Sequence, residues 1–151
     1  MAEKVPVGSD HAGYEIKGEI IAYLEELGYE PEDVGTNSTK SVDYPDYARI
    51  VAGRVSENRR EWGVLVCGSG IGMSIAANKF KGVRAALCLD ERMAGLARAH
   101  NDANILVLAG RFLGQAKAKA ILKKWIETDF EHGRHVPRIS KIKRMEESGM
   151  D

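Results

Sequence analysis

The sequence predicts an α/β fold, a three-layer αβα sandwich around a five-stranded parallel (Rossmann-like) sheet with a C-terminal helical tail. Three observations predict it. Short apolar runs such as Val64-Leu65-Val66-Cys67 and Ile105-Leu106-Val107-Leu108 read as strands buried on both faces. The stretches between them repeat apolar residues at helical spacing. Strands and helices alternate along the chain, which implies right-handed βαβ units with helices on both faces of the sheet.

The elements follow in order. Residues 5–9 (Val-Pro-Val-Gly-Ser) read as a first strand. Residues 12–27 set Ile16, Ile20, Leu24 and Leu27 on one helical face, closed by Gly28 as a C-cap. A second strand over 31–34 contains Pro31 and so belongs at an edge or is short. Residues 36–41 are polar loop, and Pro45 suits the first turn of a helix continued by Ala48, Val51 and Val55. Residues 62–67 form the clearest strand, and Ile71 and Ile75 place a helix behind the glycines that follow it. A strand over 83–89 ends at Asp90, a good N-cap for the helix carrying Met93 and Ala97. Residues 105–108 make the fifth strand, and a helix near 114–127 turns Ala118, Ile121, Leu122, Trp125 and Ile126 inward. From Pro137 to about Gly149 a charged helix carries Ile139, Ile142 and Met145 as its apolar stripe.

Composition narrows the function classes. The 151 residues fit one domain, 1–151, with no repeat or interdomain linker. Lys plus Arg and Asp plus Glu both number 22, so no global field favours nucleic acid or an anionic membrane. No apolar run approaches the ~20 residues of a spanning helix, and Met1-Ala2-Glu3-Lys4 lacks the core of a signal peptide. Cys67 and Cys88 show neither metal-type nor C-x-x-C spacing, which points to free thiols in a reducing cytoplasm.

In parallel sheets, ligands bind beyond the carboxyl ends of the strands. That rule gathers Ser9-Asp10-His11, Cys67 to Gly72, Asp90 and Gly110-Arg111 before any chemistry is considered. Cys67 is either a small buried hydrophobe or a reactive thiol favoured by neighbouring helix N-terminal amides. Cys88, inside an apolar run, reads as inert packing. Gly68-Ser69-Gly70-Ile71-Gly72-Met73 is no Walker loop, and it puts the third glycine of a dinucleotide fingerprint one place early. Asp90 lies where a ribose-binding acid would stand, so a nicotinamide oxidoreductase stays open as an alternative. Asp10 could be a helix cap or a ligand residue. His100 and Asn101 are ordinary at a helix end, and Arg134 and Arg138, four apart, are either surface cations or a phosphate clamp. His132 and His135 resemble H-x-x-H, but no adjacent Asp or Cys completes a metal set, so no metal site is expected there.

Together these motifs resemble the RpiB/LacAB family of sugar-phosphate isomerases. The resemblance is carried by Gly8 to Gly13 (Gly-Ser-Asp-His-Ala-Gly), Asp43-Tyr44-Pro45-Asp46, the run from Cys67 to Lys79, Ala99 to Asn104, Gly110-Arg111 and the Arg134/Arg138 pair. It covers nearly the whole chain in order. It implies an aldose–ketose isomerase, for example of ribose 5-phosphate and ribulose 5-phosphate, working without metal or nucleotide cofactor. Allose or galactose 6-phosphate is the alternative substrate.

By position, the resemblance implies Cys67 as the base that moves a proton between C1 and C2. His100 would open the furanose ring, and Asp10 would support ring handling. Ser69 and the amides of Gly68, Gly70, Ile71 and Gly72 would stabilise the enediolate. His11, Arg111, Arg134 and Arg138 would hold the phosphate or neighbouring hydroxyls, and Asn101 the sugar. Ser69 stands where many relatives have Thr, which keeps the hydroxyl. One branch of the family uses a carboxylate base, but Ile71-Gly72-Met73 offers no acid, so Cys67 is the base the motif leaves. The family also implies a homodimer or homotetramer whose sites combine residues of two subunits; the stripe of the tail helix reads either as an interface element or as packing on its own domain.

Overall fold

The computed structural model describes residues 2–58 and 61–148. Five strands, β1 (Lys4–Ser9), β2 (Glu30–Asp33), β3 (Gly63–Cys67), β4 (Ala85–Leu87) and β5 (Ile105–Ala109), form one sheet in the order β2-β1-β3-β5-β4. Every pairing is parallel, with Val7 opposite Val64 and Cys67 opposite Ala109. Among the described residues the α-helices are α1 (Tyr14–Glu26), α2 (Tyr44–Glu57), α3 (Ile71–Ala77), α4 (Glu91–Asn101), α5 (Gln115–Glu127) and α6 (Val136–Ser148). Short 3-10 turns precede α1 (His11–Gly13) and α6 (Gly133–His135).

Side-chain alternation along the central strands divides the core in two. Val5, Val7, Val64, Val66, Leu106 and Leu108 point to α1, α4 and α5. Leu65, Cys67, Ile105 and Val107 point to α2 and α3. This is the αβα sandwich, and it explains why β3 and β5 read as unbroken apolar runs: both faces are covered. Burying each of Leu65, Ile105, Leu106 and Leu108 fully contributes about 1.5–3 kcal/mol over exposure. Tyr29, Trp62 and Trp125 close the first layer at the amino edge, with the two indoles 6.4 Å apart.

The expected elements shift in several places. The strand expected over 83–89 shrinks to three residues at the sheet edge. There the Asn104 side chain accepts from Arg84 N at 2.7 Å, in place of a ladder partner. Trp62 precedes β3 and packs on Trp125 instead of joining the ladder. Leu27 lies past the end of α1 and is exposed, beside Gly28 at φ +89°. Ile71 and Ile75 face outward at 56% and 59% exposure while Met73 and Ala77 carry the buried face of α3. On α4 it is Ala94 and Ala97, with Met93 exposed, and on α6 Ile139 is buried while Ile142 and Met145 are exposed. Gly149 lies outside the described residues. No helix among the described residues is long and apolar enough to cross a membrane.

From β1 the chain turns towards β2, and from β3 it turns the other way, over β5 to β4. The switch point between β1 and β3 opens a crevice at their carboxyl ends, the standard ligand position in such sheets.

Candidate active site

Cys67 is the last residue of β3 and faces the α2/α3 layer, with 4% of its surface exposed. The turn after it is tightly enclosed. Gly70 takes φ +77°, and a Cβ there would stand 2.4 Å from Leu87 Cδ1. A Cβ on Gly72 would meet the Tyr44 ring at 2.5 Å, and one on Gly68 would meet the Arg111 guanidinium at 3.2 Å. The glycines therefore let a phenol and a cation lie directly on the backbone. Gly110 N donates to Cys67 O at 2.8 Å and Arg111 N to Gly68 O at 3.0 Å, which locks β5's exit onto the same turn. Ser69 Oγ accepts from Ile71 N at 3.2 Å. The arrangement offers a thiol, a hydroxyl, first-turn helix amides and a fixed positive charge around one small space.

The neighbouring strand supplies the second wall. Asp10 N donates to Val66 O at 3.2 Å, and the buried Asp10 carboxylate accepts from Gly13 N at 3.1 Å. Asp10 is thus a cap, and by position it also borders the crevice; the two readings are compatible. His11 Nδ1 accepts from Val42 N at 3.1 Å, so a neutral His11 carries its proton on Nε2 and can donate outward. Lys17, 1% exposed, supports this wall from below. Its Nζ donates to Asp33 Oδ1 at 2.5 Å and to Thr36 O at 2.8 Å, while Thr36 N donates to Ser9 O at 2.8 Å.

The remaining expected residues lie elsewhere in the same chain. The helix α4 starts at Asp90 on the carboxyl edge and runs back for 11 residues, about 16 Å, so His100 and Asn101 sit towards the amino edge. There His100 lines a surface hollow with Leu96, Lys124 and Glu131. Arg134 belongs to the 3-10 turn before α6 and Arg138 to the first turn of α6, where Pro137 is well placed. One uninterrupted α-helix does not hold the arginine pair; a change of helix type separates them. One chain therefore brings together Asp10, His11, Ser69, Arg111 and Cys67, and keeps His100, Asn101, Arg134 and Arg138 apart from them.

Around His135 the fold gathers a different set from the H-x-x-H pair read in the sequence. The fold supplies Glu131 and replaces His132 by His100: among the described residues, His100, Glu131 and His135 bring ligand-type atoms within 4.8 Å of one another. The two imidazoles stack at 4.3 Å with their planes 17° apart. A cation in the plane of one ring, where its lone pair points, would lie out of the plane of the other. The rings would have to rotate before both could coordinate, so as it stands the set suits proton exchange better. Burial, then the charges of His100 and Arg134, hold the His135 pKa below the usual imidazole value.

Two other expectations are resolved locally. Asp90 Oδ1 caps α4 by accepting from Met93 N at 2.8 Å, which is the cap expected of it. Cys88 is buried, and desolvation with the nearby Asp90 charge pushes its thiol up to about 12, consistent with inert packing. Sequence reasoning gave no role to Tyr44, Lys17, Glu131 or His135. Tyr44 stood in the sequence only within the Asp43-Tyr44-Pro45-Asp46 motif, and its ring lies against Gly72.

Comparison with known proteins agrees with this fold. Residues 5–142 match the model of the ribose/galactose isomerase family. Ribose-5-phosphate isomerase B of Escherichia coli is 43% identical over 145 residues, 96% of this chain and 97% of that protein. The ribose-5-phosphate isomerase B structure from Clostridium thermocellum superposes with a TM-score of 0.94 at 45% identity, covering 97% of this chain and 99% of that one. The Mycoplasma genitalium enzyme, solved with bound ribulose-5-phosphate, gives 0.94 at 40% identity over 97% of this chain and 98% of that one.

Proposed function

The chain belongs to the ribose/galactose isomerase family, and we propose that it interconverts ribose 5-phosphate and ribulose 5-phosphate through an enediolate. The observation that carries this reading is Cys67 enclosed at the end of β3 between the glycine turn and Arg111. A proton α to a carbonyl is weakly acidic, so the base must act where the departing charge is stabilised. Cys67 takes the proton from C2 of the open-chain aldose and returns it to C1. Ser69 and the amides of Gly68 to Gly72 hold the enediolate oxygens, an effect worth about 2.7–4 kcal/mol per preorganised donor. Asp10 holds sugar hydroxyls, and His11 and Arg111 reach the phosphate or its neighbours. Proton transfer of this kind requires neither metal nor nucleotide.

Ring opening falls to His100, with Asn101 on the sugar and Arg134 and Arg138 on the phosphate. Their distance from Cys67 within one chain supports a homodimer or larger assembly in which a second copy completes each site. The outward Ile71 and Ile75 and the exposed Ile142 and Met145 offer apolar surface for such contacts. Two free, buried thiols suit a reducing cytoplasm.

The test is turnover of ribose 5-phosphate in the presence of a chelator, with Cys67→Ala abolishing exchange of the C2 proton while phosphate-sugar binding survives. Normal turnover by that variant would remove Cys67 from its role. Mixing inactive Cys67→Ala and His100→Asn chains should restore partial activity, because a mixed dimer keeps one intact site; strictly additive inactivity would refute the shared site. Because the family is named for galactose as well as ribose, the ratio of kcat/KM for ribose 5-phosphate and allose 6-phosphate decides substrate length.

A further inference from the structure

His100 does not stand alone at the end of α4. Its Nε2 faces Glu131 Oε1 at 3.8 Å, and His135 Nε2 faces the same oxygen at 3.5 Å. Glu131 N donates to Ala99 O at 3.0 Å, which ties the backbone of the acid to the last turn carrying His100. His135 is buried, and its ring stacks on the half-buried His100 imidazole, which limits that ring's rotation.

We propose that Glu131, backed by His135, is a positioning residue that sets the tautomer of His100 and leaves Nδ1 as the atom serving the sugar. This rests on the ring-opening role given to His100 above. A neutral imidazole has one N–H and one lone pair, and the nitrogen facing a carboxylate keeps the proton. Nε2 lies 3.8 Å from Glu131 Oε1, an ion-pair distance at which the carboxylate's charge favours the proton on Nε2 and leaves the Nδ1 lone pair free. Nδ1 takes the proton of the anomeric O1 hydroxyl as the C1–O4 bond breaks. The electron pair of that bond goes to O4, a C1=O1 carbonyl forms, and Nδ1–H then delivers the proton to O4. Glu131 holds the transient imidazolium in place throughout and is not itself protonated. His100, Glu131 and His135 belong to one chain, so the unit stays intact whichever copy's Cys67 it serves.

The test separates ring opening from enolisation. Ribose 5-phosphate must be opened before it reacts, whereas ribulose 5-phosphate, with its C5 oxygen phosphorylated, is acyclic. Glu131→Ala should lower kcat on ribose 5-phosphate about tenfold to a hundredfold, since a positioned acid–base group contributes about 10²–10⁴ and only its orientation is lost. Solvent deuterium exchange into C1 of ribulose 5-phosphate should stay within about twofold of wild type, a change worth only ~0.4 kcal/mol. Glu131→Gln, which keeps an acceptor oxygen, should lie between the two. Histidine ¹⁵N spectra should show His100 as the Nε2–H tautomer in the wild type and a mixture in Glu131→Ala. Equal losses in both assays would mean a structural role and overturn the proposal, as would unchanged turnover or an Nδ1–H tautomer in the wild type. A wild-type chain inert in both assays would remove the reaction itself, and the proposal with it.

Discussion

Replacing Gly70 by Ala tests whether the glycine turn is held in one conformation for chemistry. Its φ of +77° is left-handed backbone, where an L side chain costs about 1–2 kcal/mol. The new methyl would also stand 2.4 Å from Leu87 Cδ1 and 3.3 Å from Leu108 O. Leu87 Cδ1 is a side-chain end that can yield, but the Leu108 carbonyl is fixed in β5, so overpacking adds about 1–3 kcal/mol. The two terms together give about 2–5 kcal/mol. For a chain of this size, 1 kcal/mol moves Tm by roughly 2–4 °C, so Tm should fall by roughly 4 °C or more. Urea unfolding supplies the free energy, and kcat on ribose 5-phosphate reports the displaced amides. Pairing the change with Leu87→Ala should recover part of the overpacking and none of the backbone cost, appearing as coupling in a double-mutant cycle. A Gly70→Ala protein with Tm within about 2 °C of wild type and full turnover would refute the reasoning, since 1 kcal/mol alone shifts Tm that far.

Other consequences are open to direct measurement. With its thiol pushed up to about 12, Cys88 should resist iodoacetamide at pH 8 in the folded protein, while Cys67 is alkylated and ribose 5-phosphate protects it; peptide mass mapping that finds Cys88 labelled first would contradict this. His135 binds its proton less readily when folded than its ordinary value of about 6.5, so over that interval the unfolded chain holds more protons and stability rises with pH. Stability should therefore decline as pH falls from about 6.5 through the folded value, and His135→Phe should flatten the decline in Tm. An NMR titration midpoint for His135 above 6.5 would reverse the sign. Lys17→Met should destabilise by about 2–4 kcal/mol, less than a fully buried pair broken at one end because Asp33 is half-exposed; an unchanged urea midpoint would show that the loop carrying Thr36 does not need the ammonium.

Much of the fold was legible because its signals are local. The apolar runs at 64–67 and 105–108, the helical spacing of Ile16, Ile20 and Leu24, and the caps at Gly28 and Asp90 each act over a few residues. Asp10 and Cys67 could be gathered from sequence alone because parallel topology puts every strand's carboxyl end on one edge. The failures were on faces and at edges. Ile71 and Ile75 look like core by spacing, yet the seven-residue α3 turns Met73 and Ala77 inward, and a hydrophobic pattern so short does not define its own buried side.

The strands, the helices and the chemistry at the end of β3 follow from local sequence, because backbone propensity, periodicity and turn requirements are properties of neighbouring residues. The tertiary structure alone decided the order β2-β1-β3-β5-β4, which seats β5 beside β3 and brings Arg111 over Gly68. It also decided that His100 meets Glu131 and His135 far from its own chain's Cys67. Those contacts join residues tens of positions apart, and no local pattern encodes a pairing that exists only once packed layers bring distant segments together.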